Sequence, residues 1–72
     1  MPNFDVIGQI EIAEETTIGE DYIGPHGRRH RLVRPVRVPA GTYIQRFELP
    51  IAENQDVELI VDNEFLTFRG VP

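Results

Sequence analysis

Residues 43–69 read YIQRFELPIAENQDVELIVDNEFLTFR, and this stretch decides the fold. Polar and apolar side chains alternate with a period of two over residues 43–49 and again over residues 57–61, which is the pattern of strands with one buried face. The alternation predicts that Phe47 and Leu49 point inward. The full inward face of this strand is predicted to be Tyr43, Gln45, Phe47 and Leu49.

Turn chemistry separates these strands. Pro50 should end the first one, because proline has no N–H to donate to a ladder, and residues 51–55 form a connection with room for one turn of helix. Asp62 and Asn63 both tolerate positive φ, so together they predict a tight reversal. A strand over residues 65–69 then completes a hairpin with the strand before it.

The N-terminal half carries one long strand signal and several turn signals. Residues 4–13 alternate as a strand does. Residues 14–20 are predicted to be a turn, or at most one helical turn, because threonine and glycine disfavour a long helix there. Residues 28–38 contain strand formers, but Pro35 places that strand at a sheet edge or breaks it. The remaining predictions are a short extended piece at residues 21–23, a loop at 24–27 and a turn at 39–42.

Together these segments predict a mostly β fold: a small antiparallel sheet, barrel-like or a sandwich, of about five short strands with at most one short helical turn. Residues 1–72 are predicted to form a single domain, because a chain this short buries only about 60% of its unfolded surface and has one thin core. One face of the first strand would carry Phe4, Val6, Gly8, Ile10 and Ile12. The large groups expected to fill the core are Phe4, Phe47, Phe65 and Phe68.

Composition excludes several classes of protein. The chain has no cysteine, so neither a disulfide framework nor a thiolate zinc site is available. No apolar run is long enough to span a membrane, and residues 1–5 lack the basic and apolar regions of a signal peptide. A cytoplasmic location is therefore expected.

The net charge of −5 conceals three blocks of opposite sign. Residues 1–21 carry six carboxylates and no basic residue, residues 26–37 carry five arginines and no acidic residue, and residues 38–72 carry six carboxylates against two arginines. All seven basic residues are arginine, whose planar group suits bidentate contacts at interfaces. Such a dipolar surface favours protein recognition, because complementary fields orient the partners and accelerate association.

The residue types of common catalytic sites are missing. Without serine or cysteine, the usual nucleophilic triads are excluded. His26 and His30 have the spacing of a metal-binding pair only on a helix, and Gly24, Pro25 and Gly27 argue against a helix. Both are therefore interpreted as exposed loop histidines. We predict no enzyme activity, no catalytic residue, no metal site, no cofactor and no small-molecule substrate.

Residues 26–31, HGRRHR, are the sharpest candidate for a binding segment. They form either an anion-binding loop, for phosphates or protein carboxylates, or a solvated turn whose arginines pair with the chain's own carboxylates. The overall acidity argues against nucleic acid as the sole partner, and a minor nucleic-acid contact stays open. Tyr22 and Tyr43 are the aromatic candidates for contact. The predicted partner-binding residues are Asp5, Glu11, Glu20, Asp21, Tyr22, Arg28, Arg29 and Arg31.

Residues 42–50 and 55–70 resemble part of the α-crystallin domain of small heat-shock proteins. In that family a strand that ends in Leu-Pro, as at Leu49 and Pro50, precedes a second strand and then a third of the form Leu-Thr-Ile-Arg-Gly. The family's Pro-Gly is replaced by proline and isoleucine here. The resemblance implies a chaperone-like module that assembles into a large homo-oligomer by edge-strand pairing.

In size, acidity and arginine-only basicity, the whole chain is similar to small bacteriophage proteins that bind host RNA polymerase. This resemblance implies a regulator in the host cell cytoplasm that binds the β′ subunit, blocks σ-dependent promoter recognition and promotes antitermination. It implies that the acidic first strand and residues 20–22 meet a basic polymerase segment. Arg28, Arg29 and Arg31 would meet a second, acidic surface or nearby DNA. A small nucleic-acid-binding domain is the remaining alternative.

Overall fold

A computed structural model describes residues 3–19, 27 and 29–72 of the protein. A four-stranded sheet has the order β1-β4-β6-β5, and β2 and β3 form a second, two-stranded sheet. None of the described residues belongs to a helix long and apolar enough to cross a membrane. The predicted mostly β fold of small, largely antiparallel sheets is confirmed. The strands are β1 (Asn3–Ile12), β2 (Thr16–Ile18), β3 (Val36–Val38), β4 (Gly41–Leu49), β5 (Val57–Val61) and β6 (Phe65–Gly70).

The four-stranded sheet contains one parallel pair. β1 is antiparallel to β4, and β5 and β6 form the predicted antiparallel hairpin. β4 and β6 are parallel, with Phe47 opposite Phe68. The chain passes from β4 to the far edge of the sheet, forms β5 there, and returns as β6 beside β4. Periodicity reports which residues share a face and not which strands are neighbours, so the sequence did not predict this parallel pair.

The core is formed by the inner face of the four-stranded sheet and by apolar side chains of the β2–β3 pair. Phe47 and Phe68 are fully buried at its centre, with ring centroids 5.0 Å apart. Ile18 of β2 and Val36 of β3 pack against them and their neighbours. Burial of each phenylalanine contributes roughly 1.5–3 kcal/mol. The buried cluster comprises Leu32, Val38, Tyr43, Phe47, Val57, Leu59, Leu66 and Phe68.

A bulge in β1 changes which of its side chains face the core. Ile7 is one extra residue between Val6 and Gly8, and Gly8 has a φ of 149°, which side chains rarely allow. Because cross-strand partners share a face, Val6 lies on the outer face beside Arg46. Ile10, beyond the bulge, packs against the core. The prediction of one apolar face from residue 4 to residue 12 is therefore wrong.

The second strand was not expected from the sequence. Thr16–Ile18 pairs antiparallel with Val36–Val38, where the sequence predicted a turn or one turn of helix. Two threonines and an isoleucine are good strand formers, and three residues are too few for their periodicity to be read. The chain therefore has six strands in its described part, one more than expected.

Pro35 divides the segment that was predicted to be one strand. Before the proline, the chain runs along β5: the Val33 N–H donates to the Val57 carbonyl at 3.0 Å, and the Val57 N–H donates to the Arg31 carbonyl at 2.9 Å. After the proline, β3 begins at Val36 and pairs with β2 in the other sheet. Both effects that the sequence analysis gave as alternatives, an edge position and a break, are observed.

The hairpin between β5 and β6 turns where predicted, but by a different device. The Asp62 Oδ1 accepts hydrogen bonds from the N–H groups of Glu64 and Phe65, both at 2.7 Å. The Asp62 N–H in turn donates to the Phe65 carbonyl at 3.1 Å. Neither Asp62 nor Asn63 has a positive φ. The aspartate side chain, rather than a left-handed backbone, stabilises this reversal.

Three expectations about apolar side chains are corrected. Phe4 and Phe65 are only half-buried and lie outside the buried cluster, on the outer face of the sheet. Leu49 is 38% exposed at the end of β4. Tyr43 is buried and its hydroxyl donates to the Pro39 carbonyl at 2.8 Å, so it is a core residue and not a contact candidate.

Candidate protein-binding surfaces

Half of the predicted partner-binding residues can be placed. Glu20, Asp21, Tyr22 and Arg28 lie outside the described residues, as does His26. Asp5 and Glu11 are on β1, near its beginning and its end, with Asp5 half-buried and Glu11 exposed. Arg29 and Arg31 are exposed on the segment that precedes Leu32.

The structure brings Asp5 and Arg29 together, although they are distant in the sequence. Both line an open groove of about 660 Å³. Leu49 and Ile51 supply apolar surface to the same groove, and Glu53 adds a second carboxylate. The exposure of Leu49 is explained by this position, because β4 ends where the groove begins. The groove thus offers both signs of charge beside apolar side chains.

His30 also lines the groove, but its ring is buried. The Nδ1 atom donates to the Gln55 carbonyl at 3.0 Å, and the ring lies against Phe47 with centroids 5.4 Å apart. The prediction that His30 is an exposed loop histidine is therefore wrong. The buried and exposed side chains alternate here: His30 and Leu32 are buried, and Arg31 between them is exposed. Three residues are too few for this alternation to be recognised in the sequence.

Three arginines of the basic block form ion pairs with the chain's own carboxylates. Arg31 lies 3.1 Å from Asp56, Arg34 lies 3.6 Å from Glu58, and Arg37 lies 3.2 Å from Glu15. Of these three, only Arg31 belongs to residues 26–31, and its pair with Asp56 is the arrangement that the sequence analysis gave as the alternative to anion binding. All three arginine side chains are at least 67% exposed, so the pairs contribute little to stability and remain open to exchange with a partner.

Arg29 differs from these three arginines. Within residues 3–19, 27 and 29–72, no carboxylate forms an ion pair with it. It is exposed at the groove, and Asp5 and Glu53 line the same space. Glu11 does not join this site, because it pairs with Thr42 at the opposite end of the β1–β4 ladder from Asp5. Of the predicted contact residues, Asp5 and Arg29 therefore line the groove, whereas Glu11 and Arg31 do not.

The outer face of the four-stranded sheet is a second surface. Strand register sets its side chains in three rows across the sheet. Large aliphatic side chains in two of the rows are exposed: Val6 at 62%, Ile44 at 39% and Ile60 at 36%. The rows are Gln9, Ile44 and Phe65; Val6, Arg46, Thr67 and Ile60; and Phe4, Glu48, Arg69 and Glu58.

Arg46 occupies the centre of this face. Its guanidinium carbon lies 3.9 Å from the Phe4 ring centroid and 3.8 Å from the Phe65 ring centroid, a cation–π arrangement with both rings. The Arg46 Nε donates to the Thr67 hydroxyl at 3.0 Å, which satisfies a side chain that is only 5% exposed. Arg46 itself is half-buried, so its position is well determined by its neighbours.

The third row of this face is an ion-pair network. Arg69 lies 3.1 Å from Glu48 and 3.7 Å from Glu58, and Glu58 also contacts Arg34. The two carboxylates and two guanidinium groups sum to zero charge. Arg46 has no such neutralisation: in the described part of the chain no carboxylate forms an ion pair with it. The net positive charge at the centre of the face is therefore that of Arg46.

Sequence reasoning did not identify this face. Arg46 was not among the predicted contact residues, and Phe4 and Phe65 were assigned to the core. The aromatic residues and the arginine lie on three different strands, so their association depends on strand order and on the β1 bulge. One signal in β4 could have indicated this face. Ile44 and Arg46 alternate with Tyr43, Gln45 and Phe47, which are all buried, so an apolar residue and an arginine share the opposite side of the strand.

The described residues contain no cluster of three or more histidine or acidic side chains arranged to hold a metal ion. No protein-family model matches the chain, and no similar protein was found among curated proteins or solved structures.

Proposed function

We propose that this protein is a non-catalytic, protein-binding regulator. The observation that carries the proposal is the groove lined by Asp5 and Arg29 together with the apolar side chains of Leu49 and Ile51. Protein interfaces combine an apolar centre with charged groups that set orientation. Residues 1–21 and 26–37, the acidic and basic blocks, both contribute to this groove.

The mixed charge of the groove favours a protein over nucleic acid as the main partner. Arg29 would attract a phosphate, but Asp5 and Glu53 line the same groove, and the chain as a whole carries −5. Domains that bind nucleic acid usually present a continuous basic surface. We therefore keep nucleic acid as a minor contact, to be made by Arg28 and Arg29 if the protein partner itself holds DNA.

The partner we propose is bacterial RNA polymerase, through its β′ subunit. This assignment is supported by the resemblance in size, acidity and arginine usage to small bacteriophage regulators. In such a complex, Asp5, Glu11 and residues 20–22 contact a basic segment of the polymerase, and the basic block contacts an acidic one. Regulation then follows from occupancy: the bound protein prevents σ from engaging promoters and alters termination, without making or breaking a covalent bond. The site of action is the cytoplasm of the host cell.

The first experiment mixes the protein with bacterial RNA polymerase core and holoenzyme and measures co-elution and promoter-dependent transcription. We expect a stable complex and loss of promoter-dependent transcripts. Failure to bind polymerase from several bacteria would end the polymerase assignment, while the proposal of a protein-binding regulator would then require another partner.

A charge-reversal variant tests the groove together with the basic residues beside it, because Arg29 lines the groove whereas Arg31 does not. Replacing Arg28, Arg29 and Arg31 together with glutamate should weaken polymerase binding by at least about tenfold. The matched control reverses Arg34 and Arg37, which lie in the same basic block but do not line the groove. Circular dichroism must show that both variants are folded. Equal losses in the two variants would show that only overall charge matters and would contradict a specific role for the groove.

A further inference from the structure

We propose that the outer face of the four-stranded sheet binds a protein segment that presents a carboxylate between apolar side chains, and that Arg46 receives this carboxylate. The surface is distinct from the groove of Asp5 and Arg29, because Asp5 shares the inner face with Phe47 whereas Arg46 lies on the outer face with Val6. The inference goes beyond the proposed regulator function and does not depend on the identity of the polymerase.

The guanidinium of Arg46 has unused donors and a determined position. Its Nε is occupied by the Thr67 hydroxyl, which leaves the two terminal nitrogens for another acceptor. The rings of Phe4 and Phe65 both lie against the group, with their centroids 3.9 Å and 3.8 Å from its central carbon. A partner would therefore not have to order a flexible arginine, and less side-chain entropy is lost on binding.

Charge complementarity identifies the chemistry of the partner. Glu48 and Glu58, the carboxylates in the row beside Arg46, are already engaged by Arg69. Asp62, whose pKa the Arg46 charge helps to lower, accepts hydrogen bonds from the Glu64 and Phe65 N–H groups. Arg46 forms no ion pair among residues 3–19, 27 and 29–72. A partner carboxylate would accept charge-assisted hydrogen bonds from the terminal nitrogens of Arg46. It would also neutralise the positive charge of Arg46.

The apolar part of the partner is required by what surrounds Arg46. Val6 and Ile60 lie in the same row across the sheet, and Ile44 lies in the next row. All three are exposed aliphatic side chains on the same face of the sheet. When two proteins bind, the residues buried at the centre of the interface are typically apolar and aromatic residues together with arginine. The outer face has this composition and is exposed in the free protein.

Two other occupants fit less well. A second copy of the chain, packed face to face about a two-fold axis through the centre of this face, would bring two Arg46 side chains together, and like charges repel. A nucleic acid would seek aromatic rings for stacking, but the guanidinium already occupies a face of both Phe4 and Phe65. Its phosphates would also approach the carboxylates of Glu48 and Glu58.

The test is a titration of the full-length, isotope-labelled protein followed by amide and arginine Nε resonances. The probe is a short peptide in which valine and threonine alternate around a central glutamate, with a lysine at each end for solubility. Its twin carries glutamine in place of the glutamate. We expect the glutamate peptide to shift the resonances of Val6, Ile44, Ile60 and the Arg46 side chain. The glutamine twin should bind at least about tenfold more weakly.

Variants of the protein separate the charge from the apolar contact. Arg46→Met keeps an apolar chain between the two rings and removes the charge, so it should weaken binding of the glutamate peptide about tenfold and abolish the preference over the glutamine twin. Val6→Glu should also weaken binding. The matched controls, Arg37→Met and Val33→Glu, change an exposed arginine and an exposed valine elsewhere and should have no effect.

Several results of this titration would contradict binding of a carboxylate by the outer face. No shift with either peptide, or equal binding of both peptides, would overturn the proposal, as would shifts confined to Asp5 and Arg29. Concentration-dependent shifts of the outer face without peptide would assign it to a second copy of the chain. Shifts caused by a single-stranded oligonucleotide, and not by the peptide, would assign it to nucleic acid. Because the readout involves no polymerase, failure of the polymerase assignment leaves this result unaffected.

Discussion

The imidazole of His30 and the backbone carbonyl of Gln55 are joined by a 3.0 Å hydrogen bond in which Nδ1 is the donor. The Gln55 side chain extends the connection: its Oε1 accepts from the Ala52 N–H at 2.8 Å, and its Nε2 donates to the Val71 carbonyl at 3.2 Å. Three parts of the chain thus meet at one glutamine: the segment before Leu32, the connection after β4 and the C-terminal residues.

Removal of the imidazole should destabilise the fold. His30→Ala removes a buried ring that packs against Phe47 and leaves the half-buried Gln55 carbonyl without its partner, which together cost at least about 1–3 kcal/mol. Urea denaturation followed by circular dichroism measures the change. The neighbouring exposed side chain provides the control, and Arg29→Ala should stay within about 0.5 kcal/mol of the wild type. An equally stable His30→Ala protein would show that the bond contributes nothing.

A side chain at Gly70 should collide with the same glutamine. A Cβ at this position would lie 2.8 Å from the Gln55 amide carbon and nitrogen, and the two hydrogen bonds of that side chain resist its displacement. We expect Gly70→Ala to lower the free energy of unfolding by about 1 kcal/mol, the low end of overpacking costs, because the end of the flexible Gln55 side chain can move away. A double-mutant cycle with Gln55→Ala checks the cause, because the glycine substitution should cost much less once the glutamine side chain is absent. Additive effects would contradict the collision.

Acid should weaken the β5–β6 reversal. The hydrogen bonds from the Glu64 and Phe65 N–H groups, with a smaller effect of the Arg46 charge, lower the pKa of the Asp62 carboxyl. An unfolded aspartate has a pKa of about 3.9. Since the folded pKa is the lower one, the ionised carboxylate stabilises the fold above the unfolded value, and this contribution is lost as the pH falls through the folded value.

The Asp62→Asn variant measures this contribution, because the amide retains an acceptor oxygen and loses the charge. We expect it to be less stable than the wild type at about pH 7, and we expect the difference to shrink as the pH falls below the unfolded pKa of about 3.9. Asp62→Ala, which removes the acceptor as well, should be the least stable of the three at about pH 7. An unchanged difference between wild type and Asp62→Asn across this pH range would refute the assignment.

The two phenylalanine environments predict different costs of truncation. Phe47 is fully buried against Phe68 and His30, so Phe47→Ala should cost about 3–5 kcal/mol, an amount comparable with the whole stability of a small domain. Phe65 is half-buried on the outer face, and Phe65→Ala should cost less than half as much. Thermal denaturation of the two variants compares them directly. Equal losses would show that Phe65 belongs to the core after all.

Features of the fold that depend on neighbouring residues in the sequence were predicted correctly, and features that depend on distant strands were not. Phe47 lies in a regular alternation and was placed correctly, and Pro50 ends β4 as expected. Leu49 lies in the same alternation but at the strand end, where the groove replaces the core. Alternation assigns a side chain to a face and cannot report how far the opposing layer extends. Phe4 and Phe65 were assigned to the core because of their size, and both lie instead on the outer face beside Arg46.

The candidate sites depended still more on long-range information. Asp5 and Arg29 were selected individually by charge, and only the fold brings them to one groove. Arg46 was not selected, because its importance comes from rings on two other strands. Arg31 was selected, and its ion pair with Asp56 joins residues far apart in the sequence. Charge blocks therefore predict which residues are exposed better than they predict which of them act together.

The bulge at Ile7 makes β1 tolerant of a change in length at one point. Deleting this residue would leave Val6 opposite Arg46 and Gly8 opposite Gln45, and the ladder would become regular without rotating either half of the strand. A deletion elsewhere in β1, with Ile7 kept, would turn residues on one side of the gap to the opposite face. Homologues that lack one residue here would retain the arginine-centred outer face and lose only the contact of the Ile7 side chain with the core, and their alignments should place the gap at this position.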